Sequence, residues 1–216
     1  MANQLPHYPI LSALYSRTLP GQAGHIERNL LVNVESRYRW IFLRSPFVIE
    51  SNQSVSDLLR LGIDRERVLR TPPGTDFELF RPREKTAIPK LVYYSGFKEY
   101  KRPCIALVIL CSALRYFPAA ELTFIGTGPS IDKVKSCVTP SLRQRVTFKG
   151  RISDDEVAAI VARSWVHIYP AQAEGWGHCA LEAAAAATPT VAFLVSGPNE
   201  VVIPGETGRL VPEGGH

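Results

Sequence analysis

The 216-residue sequence contains only four cysteines, Cys104, Cys111, Cys137 and Cys179, and their spacing matches no metal-binding pattern. A metal-stapled framework is thereby excluded. Most of these thiols lie in apolar stretches, where a reduced cysteine behaves as a small hydrophobe, so a reducing compartment is expected. No apolar run approaches the length that crosses a bilayer, and no basic-then-apolar leader opens the chain, so the expected location is the cytosol. Internal repeats are absent, and the 17 prolines and 15 glycines are scattered rather than clustered, which excludes a low-complexity linker. The formal net charge of +5 is mild. It suits acidic ligands, anionic headgroups or nucleic acid without deciding among them, and no nucleic-acid partner is expected for the chain as a whole.

What is present is an alternation of two periodicities. From Lys90 onward the order strand, helix, strand, helix predicts a parallel sheet covered on both faces, an α/β doubly wound (Rossmann-like) fold. Strands are expected at Lys90 to Ser95, Glu121 to Ile125, Arg145 to Lys149, Val166 to Pro170, Thr190 to Val195 and Leu210-Val211. Helices are expected at Pro103 to Arg115, Ser130 to Val138, Asp154 to Arg163 with Ser153 as N-cap, and Cys179 to Ala187. Before Lys90 the pattern is less regular. A helix around Leu30 to Leu43, a strand Phe47 to Ile49, a helix Ser51 to Leu61 ended by Gly62, and a strand Arg67 to Leu69 read as the closing part of a separate α/β domain. The stretch Arg81-Pro82-Arg83-Glu84-Lys85 resembles a linker, dividing the chain into 1–85 and 86–216.

Glu174 and Glu182 bracket Gly175-Trp176-Gly177 where a buried strand turns into an Ala-rich helix. Free N–H groups and the dipole at a helix N-terminus bind anions, and glycines let a phosphate approach the main chain. Ionised carboxylates only accept hydrogen bonds, so each suits hydroxyl groups. Glutamate early in a helix is also favoured by the dipole alone. The isolated acid at Glu182, beside a run of alanines that should pack closely, is what calls for a partner.

Several motifs then agree in order with one family. Pro73-Gly74-Thr75-Asp76 with Phe80-Arg81-Pro82, the Tyr94 to Pro103 loop with Lys98 and Lys101, the Gly126-Thr127-Gly128-Pro129 turn, Val146 to Gly150 with Glu156, the Glu174/Glu182 motif, and the tail Gly197, Glu200 and Glu206 to Pro212 together resemble the retaining glycosyltransferases of the GT-B fold, family 4. His7-Tyr8-Pro9 is similar to a motif of lipid-linked oligosaccharide mannosyltransferases within it. The resemblance implies a nucleotide-diphosphate sugar as donor substrate, with no cofactor, and an acceptor of unspecified class. It implies catalytic roles for Glu174, Lys101 and His7. Donor contacts would come from Glu182 to the ribose, from Gly175, Trp176, Gly177, Gly126 and Lys98 around the phosphates, and from Arg151-Ile152 to the base. Where many members carry an arginine after the first donor-domain strand, this sequence has Gly96. Lys101 keeps the family's lysine, and Lys98 or Arg102 could supply the missing charge, though lysine lacks the bidentate fork of arginine.

The sequence holds no Asp-x-Asp, so no metal is expected at the diphosphate. Paired carboxylates also serve hydrolases, but hydrolysis requires no glycine cradle beside a basic loop. A non-catalytic nucleotide-sugar-binding module is the alternative, since the first domain looks truncated. Peripheral membrane contact through Arg37 to Arg44, where basic and apolar residues mix, is a further expectation.

Overall fold

A computed structural model describes residues 46–60 and 62–213 and divides the chain into two compact units, 1–72 and 73–216. In the described part of the first unit, strands β1 (Phe47–Ile49) and β2 (Val68–Arg70) pair in parallel and are joined through helix α1 (Asn52–Arg60). Alternation sends Phe47, Ile49 and Val68 toward Val55 and Leu58 of the helix. Gly62, at φ +82°, ends the helix as expected. His7, the Leu30 to Leu43 helix and the Arg37 to Arg44 segment lie outside the described residues.

The second unit is a six-stranded parallel sheet in the order β5-β4-β3-β6-β7-β8. Its strands are β3 (Lys90–Tyr94), β4 (Glu121–Ile125), β5 (Val146–Gly150), β6 (Val166–Tyr169), β7 (Thr190–Phe193) and β8 (Gly208–Val211). Helices α2 (Cys104–Ala113), α3 (Ile131–Ser136), α4 (Asp154–Arg163), α5 (His178–Ala185) and α6 (Pro198–Val201) connect them. Leu91 and Tyr93 face one side with Leu122, Phe124 and the apolar face of α2, while Val92 and Ile125 face the other with Val157 and Val161 of α4 and Ala183 of α5. Period-two alternation in a strand covered on both sides explains its nearly continuous apolar run. The α4 helix spans the expected residues because its ends are strongly marked: Ser153 accepts from Glu156 N–H, three acids fill the first turn and Arg163 the last.

The boundary between units falls earlier than 85/86. Phe80 is buried in the core with Val92 and Ile125, and Lys85 Nζ donates to the Ala162 carbonyl at 2.9 Å and Thr188 Oγ1 at 2.6 Å. The basic, proline-containing segment is thus a docked strap of the second unit. All four cysteines are free thiols, but Cys111 and Cys137 are exposed, so the small-hydrophobe reading holds only for the half-buried Cys104 and Cys179. No described helix is long and apolar enough to cross a membrane.

His167, fully buried in β6, places Nδ1 3.1 Å from Thr190 Oγ1. Burial pulls its imidazole down to about 4, the Tyr94 backbone opposing. The unfolded imidazole takes up its proton near pH 6.5 and the folded one only near 4, so stability is full above 6.5 and lost as pH falls through that window. The contribution is about 3 kcal/mol. In urea unfolding at pH 7 and pH 5, His167→Phe is expected to lose less stability than the native chain; equal losses would refute this source of acid sensitivity.

Candidate functional site

The chain builds the sheet outward from β3 through β4 to β5, then restarts on the other side of β3 with β6. In open parallel sheets that reversal leaves a crevice at the carboxyl ends of the two central strands, where ligands bind. Here Tyr94 ends β3 and Tyr169 ends β6. The β3–β6 ladder pairs Leu91 with Val166 and Val92 with His167, whereas β3 pairs with β4 through to Tyr94. The central strands therefore part before their C-terminal ends.

Two loops enter this opening. The one after β3 carries Lys101 at the end of a short 3-10 turn, Glu99–Lys101. The one after β6 carries Glu174. Lys101 Nζ and Glu174 Oε2 form an ion pair, the Tyr169 hydroxyl donates to the same carboxylate oxygen, and Lys101 Nζ lies 3.3 Å from the Tyr169 hydroxyl. The ammonium also faces the rings of Tyr100 and Tyr169, 5.3 and 5.4 Å from their centroids. Burial lowers the Lys101 ammonium to about 8; Cys179 opposes the shift and Lys98 adds to it. Contact with the Glu174 carboxylate also works against the shift.

Glu182 stands one turn into α5, where Tyr94 hydrogen-bonds its carboxyl group. Its Oε2 is buried with no hydrogen-bond partner. Burial raises its pKa, the Tyr94 bond opposes and Asp154 adds to the rise. Cys179 feels both charged centres: burial pushes its thiol up to about 12, Glu182 acting in the same direction and Lys101 against it. Lys101, Tyr169, Glu174, Cys179 and Glu182 thus cluster at the C-terminal ends of β3 and β6, a cation paired with a carboxylate in the neighbourhood of a buried acceptor that has no partner. A buried acceptor without a partner is costly unless a ligand donor meets it.

The remaining expected residues divide. Gly177 caps α5 at φ +110°, which starts the helix at His178 rather than Cys179 and ends it at Ala185. Gly175 is exposed in the loop beside Glu174. Trp176 packs its side chain with Tyr169, Ala171, Ala180 and Val201, so it anchors the loop. Gly126, at φ +125°, is half-buried, and a Cβ there would lie 2.2 Å from the Ser95 carbonyl oxygen, so the glycine lets two backbones pack closely. Lys98 is exposed, its Nζ 5.9 Å from the centroid of the Tyr100 ring. Arg102, at φ 47°, is turned to Glu213 and the Phe193 ring, so it braces the loop. Arg151 is exposed and Ile152 packs with the α4 side of the core, both after the edge strand β5, two strands from β3. Glu156 pairs with Lys149 at 3.2 Å.

Tyr94 and Tyr169 were not expected at the site, because a tyrosine ending a buried strand reads as core. The signal was present in the alternation, which puts Tyr169 and His167 on the opposite face from Ile168. Among the described residues, no group of three or more His, Cys, Asp or Glu could hold a metal ion.

A family model described as "Glycosyl transferases group 1" matches residues 88–215. The chain is similar to a glycogen synthase from Mycobacterium tuberculosis, 27% identical over 206 residues, which cover 93% of this chain and 50% of that protein. It is also similar to MMP alpha-(1->4)-mannosyltransferase from Mycolicibacterium hassiacum, 30% identical over 164 residues, covering 74% and 40%. Among solved structures, sucrose-phosphate synthase from Thermosynechococcus elongatus superposes with a TM-score of 0.65 at 28% identity, covering 76% of this chain and 44% of that one. Anabaena HepE in complex with UDP and glucose gives 0.66 at 19% identity, covering 85% and 52%, a likeness of fold alone. The chain spans about half the length of the curated relatives it matches.

Proposed function

Because the chain belongs to the glycosyl transferases group 1 family, we propose that it binds a nucleoside diphosphate sugar in the β3/β6 crevice and transfers the sugar, a hexosyl group, to an acceptor with retention of configuration, in the manner of family 4. The observation that carries this reading is the Lys101–Glu174 pair standing in one cluster with the unpartnered Glu182 Oε2 at the C-terminal ends of the central strands. In such a transfer the bond from the anomeric carbon to the diphosphate oxygen breaks, and its electron pair leaves with the diphosphate. Lys101 is suited to that growing negative charge, Glu174 to hydroxyls of the sugar, and Glu182 to a ribose hydroxyl. In this reading a protein cation rather than a divalent ion opposes the leaving charge. Two structural neighbours are complexes with UDP and glucose and with UDP and GlcNAc, which makes a uridine donor the first to try.

A second reading, a nucleotide-sugar-binding module, is favoured by the placing of Lys101, Glu174 and Glu182 all within the second unit. Thermal shift with UDP-, GDP- and ADP-sugars, followed by assay of released nucleoside diphosphate, separates the two. A rise in melting temperature with turnover supports transfer, and a rise without turnover supports the module. No stabilisation by any of the three sinks both.

A further inference from the structure

Tyr169 differs from the charged residues it touches in where it is held. Its ring is only 2% exposed, packed with Ala171, Trp176 and Ala180, and it closes a central strand of the sheet. Lys101 and Glu174 stand on two separate loops, and the Tyr169 hydroxyl contacts both. A phenol has one proton to give and lone pairs to accept with. Here the proton goes to Glu174 Oε2, and the oxygen receives Lys101. Burial raises the tyrosine pKa, with Cys179 and then neighbouring tyrosines adding, so the hydroxyl keeps its proton throughout the neutral range.

We infer that Tyr169 is a positioning residue that holds the Glu174 carboxylate in place for the sugar once the diphosphate has drawn Lys101 away. This inference rests on the donor-site reading above. In the empty site Glu174 has two partners, an ammonium and a hydroxyl. A diphosphate competes for the ammonium, since both are anions seeking the same cation. The hydroxyl, fixed by the sheet, does not follow. Glu174 then keeps one charge-assisted hydrogen bond from a rigid element, and its second oxygen remains near its own loop, 3.3 Å from the Gly175 N–H. Without the phenol oxygen, the loop carboxylate would have nothing outside its own loop to orient it. Lys101 would lose only a neutral neighbour.

The expected result separates two ligands. Tyr169→Phe keeps the ring and its packing, so affinity for the bare nucleoside diphosphate stays within about twofold. Affinity for the corresponding sugar conjugate falls about tenfold, the loss typical of a hydrogen bond to a charged group. The probes are UDP, GDP and ADP and their glucose conjugates, measured by titration calorimetry on the full chain. Tyr93→Phe is the companion variant: it also removes a buried hydroxyl, one that donates to the Gly96 carbonyl at 3.1 Å, and any effect should fall equally on both ligands. Urea unfolding of the two variants establishes that they are folded. Equal losses for nucleotide and conjugate in Tyr169→Phe, or no loss for either, overturn the inference while leaving the donor site standing. Failure of the native chain to bind any of the six probes removes the donor-site reading and this inference together.

Discussion

Lys101→Met is expected to weaken nucleoside diphosphate binding by roughly 10- to 100-fold, the span of one to two hydrogen bonds to charged groups. Methionine keeps the length of the stem and removes the ammonium, so the buried packing of the loop is largely kept. The pH dependence gives a second readout. Burial holds the ammonium down to about 8, well below the usual lysine range, so in the empty site the charge is present below that pH and lost above it. A bound diphosphate favours the charged form and raises the pKa again. Affinity should therefore be flat below about pH 8 and decline by up to tenfold per pH unit above it. Calorimetric titration with UDP at pH 7, 8 and 9 should show this decline in the native chain and not in Lys101→Met. Identical affinities in the two proteins would remove Lys101 from the site.

Gly197→Ala should separate loss of stability from loss of the site when set beside Gly205→Ala. The two glycines have nearly the same φ, +89° and +86°, a region that L side chains rarely adopt. Any L-residue with such a positive φ costs about 1–3 kcal/mol. Their surroundings differ. A Cβ at Gly205 meets nothing within 4 Å, whereas one at Gly197 would lie 2.8 Å from the Glu174 carbonyl oxygen, 2.9 Å from that of Trp176 and 3.0 Å from Glu174 Cβ. Ser196 Oγ donates to the same Glu174 carbonyl at 3.0 Å, so this turn supports the loop that presents the carboxylate. Both variants should show a lower urea midpoint, Gly197→Ala the lower of the two. Only Gly197→Ala should also lose affinity for the sugar conjugate, by tenfold or more. If Gly205→Ala lost as much affinity, the support by this turn would be disproved.

The parts of the fold that could be read from the residues were those with local markers. Asp154–Arg163 and Glu121–Ile125 occupy the expected positions because the Ser153 N-cap and an acidic first turn frame the first and short apolar alternation the second. Errors arose where a long-range contact overrode local composition. Arg81-Pro82-Arg83 looks like solvated linker, yet Phe80 and Lys85 on either side are drawn into the second unit. The α5 helix begins one residue early because Gly177 alone can take the left-handed turn at its start. At the site, Lys101 and Glu174 were legible as charged residues in glycine-bearing loops, and Glu182 as a lone acid in an alanine-rich helix. The partners that orient them were not, since Tyr94 and Tyr169 become neighbours of those charges only when β6 is laid beside β3. Gly126 shows the converse. Its turn resembles a phosphate loop, but its missing Cβ makes room for the Ser95 carbonyl.

Since β3 and β6 share only two ladder pairs, β5-β4-β3 and β6-β7-β8 are two three-stranded leaves joined along a narrow spine. Lys101 grows from one leaf and Glu174 from the other. A molecule grasped by both acts as a rivet across the spine, so occupancy should slow amide hydrogen exchange at Val92, in that spine, as well as in the loops that touch the ligand.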